Sequence, residues 1–173
     1  YFDKKLKPEF KPKLQIFFKR IESYIPWIKG HDLIIKSHNS FPHSSGIASS
    51  ASAIASLSLC LMDLDRHFFP SMNKSFFYQK ASFLARLGSG SAARSVLGPV
   101  TLWGENRTLE TCSNLYAINF GEDLNPVFKS YQDTILLVDR GIKVISSSKG
   151  HDLMHEHPFA SNRFLQALSL IHI

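Results

Sequence analysis

Pro42-His43-Ser44-Ser45-Gly46-Ile47-Ala48-Ser49-Ser50-Ala51 decides the reading of this chain. A turn of small residues here feeds directly into an alanine- and serine-rich helix. The first backbone N–H groups of a helix have no internal partner and the dipole is positive there, so a phosphate finds donors and favourable charge together. Small side chains let it approach. Gly46, Ile47, Ala48, Ser49 and Ser50 are therefore candidate phosphate ligands. The same residues have a plainer explanation, since serine is a good N-cap and alanine a good helix packer. The Walker pattern Gly-x4-Gly-Lys-Ser/Thr is absent, which argues against a P-loop nucleotidase.

Upstream of the turn, Leu33, Ile34 and Ile35 predict a short strand running toward Ser40, giving strand, serine-rich loop and then a helix over residues 48–64. Before that, Leu14, Phe17, Phe18, Ile21 and Ile25 recur at helical spacing and predict a helix over 13–24, ended by Pro26. Downstream, Phe76, Phe83, Leu84 and Leu87 place one apolar face on a helix over 76–87, with Gly88 in the position of a left-handed cap. A second small-residue loop follows, Gly88-Ser89-Gly90-Ser91-Ala92-Ala93-Arg94-Ser95. Residues 100–103, 115–120 and 135–138 read as strands, and Ser146-Ser147-Ser148-Lys149-Gly150 as a third serine-rich loop before a helix. Strands and helices mix without strict alternation, which makes the fold class α+β.

The 173 residues are 44% hydrophobic, enough to bury a core. Twenty basic against fourteen acidic side chains give +6, which favours anionic partners such as nucleotides and diphosphates. Cys60, within an apolar run, reads as core, and with Cys112 it forms neither a disulfide framework nor a zinc pattern. No apolar stretch approaches the ~20 residues of a membrane span and no leader opens the chain, which predicts a soluble cytoplasmic protein. The two Asn-x-Ser/Thr matches, at Asn73 and Asn106, then carry no consequence.

The motif Pro-x3-Gly-Ile-x-Ser-Ser-Ala at 42–51 resembles the phosphate loop of the GHMP kinases. With the preceding Asn39-Ser40-Phe41 it is similar to the diphosphomevalonate decarboxylase branch of that superfamily, as is Ala85-Arg86-Leu87-Gly88-Ser89-Gly90-Ser91-Ala92-Ala93-Arg94-Ser95. Serine hydroxyls and glycines can wrap phosphate oxygens, and a guanidinium fork suits a carboxylate or a second phosphate. Without the resemblance, Arg94 reads as one partner of a surface ion pair, which contributes little to stability. The resemblance, which runs from about Ser23 to about Arg163, implies that Ser89, Gly90, Ser91, Ala92 and Ala93 hold mevalonate 5-diphosphate and that Arg94 engages its carboxylate. It places Ser148 in the position of a substrate-contacting threonine, while His151 and Pro99 depart from the family pattern. The implied activity is ATP- and Mg2+-dependent decarboxylation of mevalonate 5-diphosphate to isopentenyl diphosphate, by a homodimer, on a two-layer GHMP fold. A mevalonate 3-kinase or a monophosphate decarboxylase is the alternative.

The resemblance also implies an N-terminal domain over 1–132 without its native start and the beginning of a second domain over 133–167. Residues 168–173 read as a non-native, adapter-derived tail. The family's catalytic aspartate is expected downstream, since none of Asp123, Asp133, Asp139 or Asp152 has a matching context, and the chain by itself is expected to be inactive. Two rivals rest on other residues. His151 and His155 have the i, i+4 spacing of a zinc helix, with Asp152 where a glutamate is needed and no third ligand evident. Lys4, Lys5, Lys7, Lys11, Lys13, Lys19 and Arg20 could contact nucleic-acid phosphates, but such a run is usually a solvated face, and no nucleic-acid partner is expected.

Overall fold

The computed structural model describes residues 1–41, 47–122, 124–136 and 147–169. The chain divides into two compact units, the larger comprising Tyr1–Phe41 and Ala48–Leu136. Three helices build the larger unit: α1 (Lys11–Ile21), α2 (Ser49–Phe68) and α3 (Lys74–Gly88). A small antiparallel sheet of β1 (Thr101–Leu102) and β2 (Ile118–Asn119) pairs Thr101 with Asn119 and Leu102 with Ile118. The short helix α4 (Pro126–Lys129) follows. The smaller unit contains α5 (Ser147–His155) and α6 (Ala160–Ser169). Helices with a small sheet agree with the α+β class.

Each large helix buries one stripe. In α1 it is Phe17 and Ile21, continued by Ile25 beyond the helix end, as the spacing predicts. In α2 it is Ala51, Ala55, Ser58, Met62 and Asp65, flanked by Leu61. Cys60 is exposed, which corrects its assignment to the core: at ~100° per residue it lies opposite that stripe. The buried side of α3 is Phe77, Ala81, Ser82, Leu84 and Ala85. Phe76, predicted for this face, is 48% exposed, because the stripe runs through small residues that the apolar count passes over.

Helices α2 and α3 form an antiparallel hairpin across a five-residue connection, with Asn73 as N-cap of α3, its Oδ1 accepting the Phe76 amide at 2.8 Å. Near the connection, buried Asp65 accepts from Lys80 Nζ at 2.7 Å and from Trp27 Nε1 at 2.9 Å. Trp27 stacks on Phe68 with ring centroids 5.4 Å apart, so the 3-10 turn Pro26–Gly30 is clamped to α2.

At the far end, Gly88 is the last residue of α3. A Cβ added there would lie 2.7 Å from Ile54 Cγ2 and 2.7 Å from Phe17 Cδ2. Its backbone is not left-handed, so the cap expected of Gly88 is replaced by a different need: three helices meet where only hydrogen fits. Both opposing groups are stiff, one β-branched and one a ring that is 1% exposed. Gly88→Ala is expected to cost about 1–3 kcal/mol, the usual range for overpacking, read as a lowered urea midpoint at constant m-value. An unchanged midpoint would show that the helices do not meet there.

The strand expected at Leu33, Ile34 and Ile35 is not formed. This segment is extended, with one isolated parallel bridge from Phe2 to Ser37, and Ile34 is 78% exposed. Among the described residues only the first few run beside it, and a strand needs a neighbour to complete its ladder. The strands expected over 100–103 and 115–120 shorten to two residues each. Ile135 and Leu136 form no strand and are exposed, while residues 137 and 138 lie outside the described residues. The third loop is corrected as well, because Ser147, Ser148, Lys149 and Gly150 form the first turn of α5. Ser146 lies outside the described residues.

Candidate anion-binding site

The parts of two predicted ligand segments that belong to the larger unit, residues 48–50 and 89–94, sit at one end of the α2–α3 hairpin. Helix α2 starts at Ser49, and Ile54, which meets Gly88, is ~7.5 Å further along its axis. Gly88 leads at once into the second loop, which winds into a 3-10 turn, Gly90–Ser95, packed against both α2 and α3.

The start of α2 is uncapped. Ala48, the N-cap, is left-handed with φ 48° and ψ 36°, and no described side chain bonds the first turn. The amides of Ala51 and Ser52 close on the Ala48 carbonyl, whereas those of Ser49 and Ser50 have no acceptor among the described residues. An alanine in this conformation is strained by ~1–2 kcal/mol. The strain is localised where two unsatisfied donors and the positive helix end coincide, an arrangement suited to an anion. Gly46 lies outside the described residues, and Ile47 belongs to the smaller unit.

In the second loop Ala92 and Ala93 are fully buried, whereas Gly90, Ser91 and Arg94 face solvent. The alanines anchor the turn and the polar residues are presented outward. One arginine precedes the turn and one lies within it, with different surroundings. The Arg86 guanidinium lies 5.6 Å from the Phe83 ring centroid, with its Nε buried and unbonded. Arg94 makes no side-chain hydrogen bond or ion pair among the described residues, so its planar fork of donors is available.

The turn is held from beneath by a residue the sequence reading passed over. Ser82, fully buried on α3, donates from Oγ to the Ala93 carbonyl at 2.8 Å and accepts the Ala117 amide at 2.8 Å. The available signal was a hydroxyl among Phe77, Ala81, Leu84 and Ala85 on a core-facing stripe, a place where a polar atom must find partners. A further tie joins the approach to the turn, where Arg20 Nη1 donates to the Leu87 carbonyl at 2.8 Å.

Ser148 lies in the first turn of α5 within the smaller unit, and its side chain is outside the described portion. Asp123 and Asp139 also lie outside the described residues. Two shallow depressions are lined by Arg66, Met72, Lys74, Phe77 and Tyr78 and by residues of the 105–112 segment, neither including a predicted anion ligand. Of the predicted ligands in the larger unit, Ala48, Ser50, Gly90, Ser91 and Arg94 are exposed, Ser49 and Ser89 are half-buried, and Ala92 and Ala93 are buried. Among the described residues no three His, Cys, Asp or Glu side chains gather as a metal site, and the side chain of His151 is outside them. Of the basic residues near the start, Lys7 pairs with Glu9 at 3.1 Å and Arg20 is engaged at Leu87, leaving Lys4, Lys5, Lys11, Lys13 and Lys19 exposed. No described helix is long and apolar enough to cross a membrane.

Comparison with known proteins adds an independent line. A diphosphomevalonate decarboxylase of Ganoderma lucidum is 37% identical over 82 residues, covering 47% of this chain and 19% of its own length. A diphosphomevalonate decarboxylase of Gibberella zeae is 34% identical over 91 residues, covering 49% of this chain and 20% of its own. The chain thus spans about a fifth of the length of the curated relatives it matches. No solved structure matches it. The profile of the diphosphomevalonate decarboxylase-like N-terminal domain matches residues 2–114, a range that contains both small-residue loops and excludes Ser148. On that match, over well more than half of its length, the chain belongs to the diphosphomevalonate decarboxylase-like N-terminal domain family.

Proposed function

We propose that this chain supplies the phosphate- and carboxylate-binding face of an enzyme that decarboxylates mevalonate 5-diphosphate to isopentenyl diphosphate at the expense of ATP. One observation carries the reading: a turn seated on buried alanines and a buried serine presents Ser91 and Arg94, unpaired among the described residues, to solvent at the same hairpin end as the start of α2. In this reading the Ser89 and Ser91 hydroxyls and the Gly90 amide hold the diphosphate. Arg94 fixes the substrate carboxylate through paired N–H donors. The Ser49 and Ser50 amides are proposed to hold the nucleotide phosphates, the role the motif also assigns to Gly46, Ile47 and Ala48.

The amides of Ser49 and Ser50, which have no acceptor among the described residues, fit a phosphate, and bound ATP supplies the phosphoryl group that makes the tertiary 3-hydroxyl a leaving group. No residue of this chain is assigned to Mg2+. The chain's own contribution is to hold both anionic ends of the substrate, so that the carboxylate cannot rotate away while positive charge develops at the tertiary carbon. Ser148 is proposed to touch the substrate from the segment that begins a second GHMP domain. A two-layer GHMP fold, residues 1–132 as its N-terminal part, a homodimer and a cytoplasmic setting complete the proposal.

The test compares mevalonate, its 5-phosphate and its 5-diphosphate as substrates of the enzyme encoded by the complete gene, following carbon dioxide and phosphate release with ATP. Release from the diphosphate alone is expected. Turnover of free mevalonate without carbon dioxide would replace this reading with a 3-kinase. The 173-residue chain alone is expected to release neither product, because no carboxylate in it has the family's catalytic context.

A further inference from the structure

Arg94 is useful only if its backbone is fixed, since a long side chain on a mobile turn sweeps a large volume. Two peptide planes meet at its Cα and set its φ and ψ. The Ala93 carbonyl, in the preceding plane, accepts from Ser82 Oγ at 2.8 Å; the Arg94 carbonyl, in the following plane, accepts from Thr101 Oγ1 at 3.2 Å. Both hydroxyls belong to one closed circuit. Thr101 lies in β1, β1 pairs with β2, and Ala117, just before β2, returns its amide to Ser82 at 2.8 Å.

We propose that Ser82, with Thr101, is a positioning residue for Arg94, clamping the two peptide planes that aim the guanidinium at the substrate carboxylate. Ser82 does this from full burial, where its hydroxyl both donates and accepts and so cannot turn toward water. Such a doubly engaged buried hydroxyl constrains geometry more than it adds stability. The inference rests on the proposed role of Arg94.

Calorimetric titration of mevalonate 5-diphosphate into the enzyme encoded by the complete gene separates the possibilities, using wild type, Ser82→Ala, Arg94→Ala and the double variant. Ser82→Ala is expected to weaken binding at least fivefold when Arg94 is present and less than twofold in the Arg94→Ala background, while lowering Tm equally in both. Equal weakening in both backgrounds would make Ser82 a purely structural residue and overturn the proposal. Should Arg94→Ala bind like wild type, the carboxylate-binding role of Arg94 falls and this inference with it. Thr101→Ala and Ser82→Cys provide further variants if Ser82→Ala does not fold. Thr101→Ala, outside the core, is expected to weaken binding twofold to fivefold only while Arg94 is present, and an equal effect without Arg94 counts against the clamp.

Discussion

Asp65→Ala is expected to destabilise the helical unit by about 3–5 kcal/mol, the range for removing one partner of a buried ion pair. Asp65 is fully buried, and each carboxylate oxygen has one donor: Trp27 Nε1 at 2.9 Å and Lys80 Nζ at 2.7 Å. Alanine would leave the Lys80 ammonium, whose side chain is only 17% exposed, without its counter-charge, and the indole N–H without an acceptor. It would also cut the only hydrogen bonds described between α2 and these two partners. Against a typical stability of ~5–15 kcal/mol the loss is large. It should appear in urea unfolding and in the loss of near-UV signal from Trp27. Asp65→Asn keeps an acceptor for the indole and should cost less. Asp65→Leu combined with Lys80→Met should recover much of the loss, because the penalty lies in the uncompensated charge. A midpoint for Asp65→Ala within experimental error of wild type would show that the pair is not formed.

That cluster shows what could be read in advance and what could not. Local chemistry carries its own expectation: a run of small residues ahead of a helix suits an anion because amides, dipole and steric room all follow from consecutive residues, and residues 42–46 of that run lie outside the described residues. The stripe Phe17, Ile21, Ile25 was legible because helical period alone selects it. Long-range pairing was not. Asp65 and Trp27 are 38 residues apart, and Ser82 and Ala117 are 35 apart, so nothing adjacent in sequence signals either contact. Gly88 shows the same limit, since a glycine at a helix end suits a left-handed cap on local grounds, while the real requirement comes from Phe17 and Ile54 on other helices. Cys60 was misplaced because an apolar run was treated as uniformly buried although α2 packs on one side. In the candidate site, the exposed Ser91 and Arg94 stand in a motif that sequence alone picks out, whereas nothing adjacent in sequence marks the buried hydroxyl beneath them.

In the complete enzyme Arg94→Ala is expected to lower kcat/KM for mevalonate 5-diphosphate at least ~100-fold, about 2.7 kcal/mol, with stability changed by less than ~0.5 kcal/mol. The stability half follows from exposure, since the guanidinium is in solvent and no described partner loses a contact when it goes. The activity half follows from the proposed role of Arg94: without it the substrate would lose a charged, bidentate partner, leaving its carboxylate both unpaired and free to rotate. Arg94→Lys should recover little, because a single ammonium can neutralise the carboxylate but cannot fix its plane. The order of events explains why orientation outweighs charge. As carbon dioxide departs, the carboxylate loses the negative charge that attracts the guanidinium, so a contact that only stabilised the ground state would slow the step. Holding the breaking C–C bond aligned with the departing phosphate has the opposite effect. Near-normal kcat/KM in Arg94→Ala would remove Arg94 from the site, and a recovery by lysine to within a few-fold would assign it to charge alone.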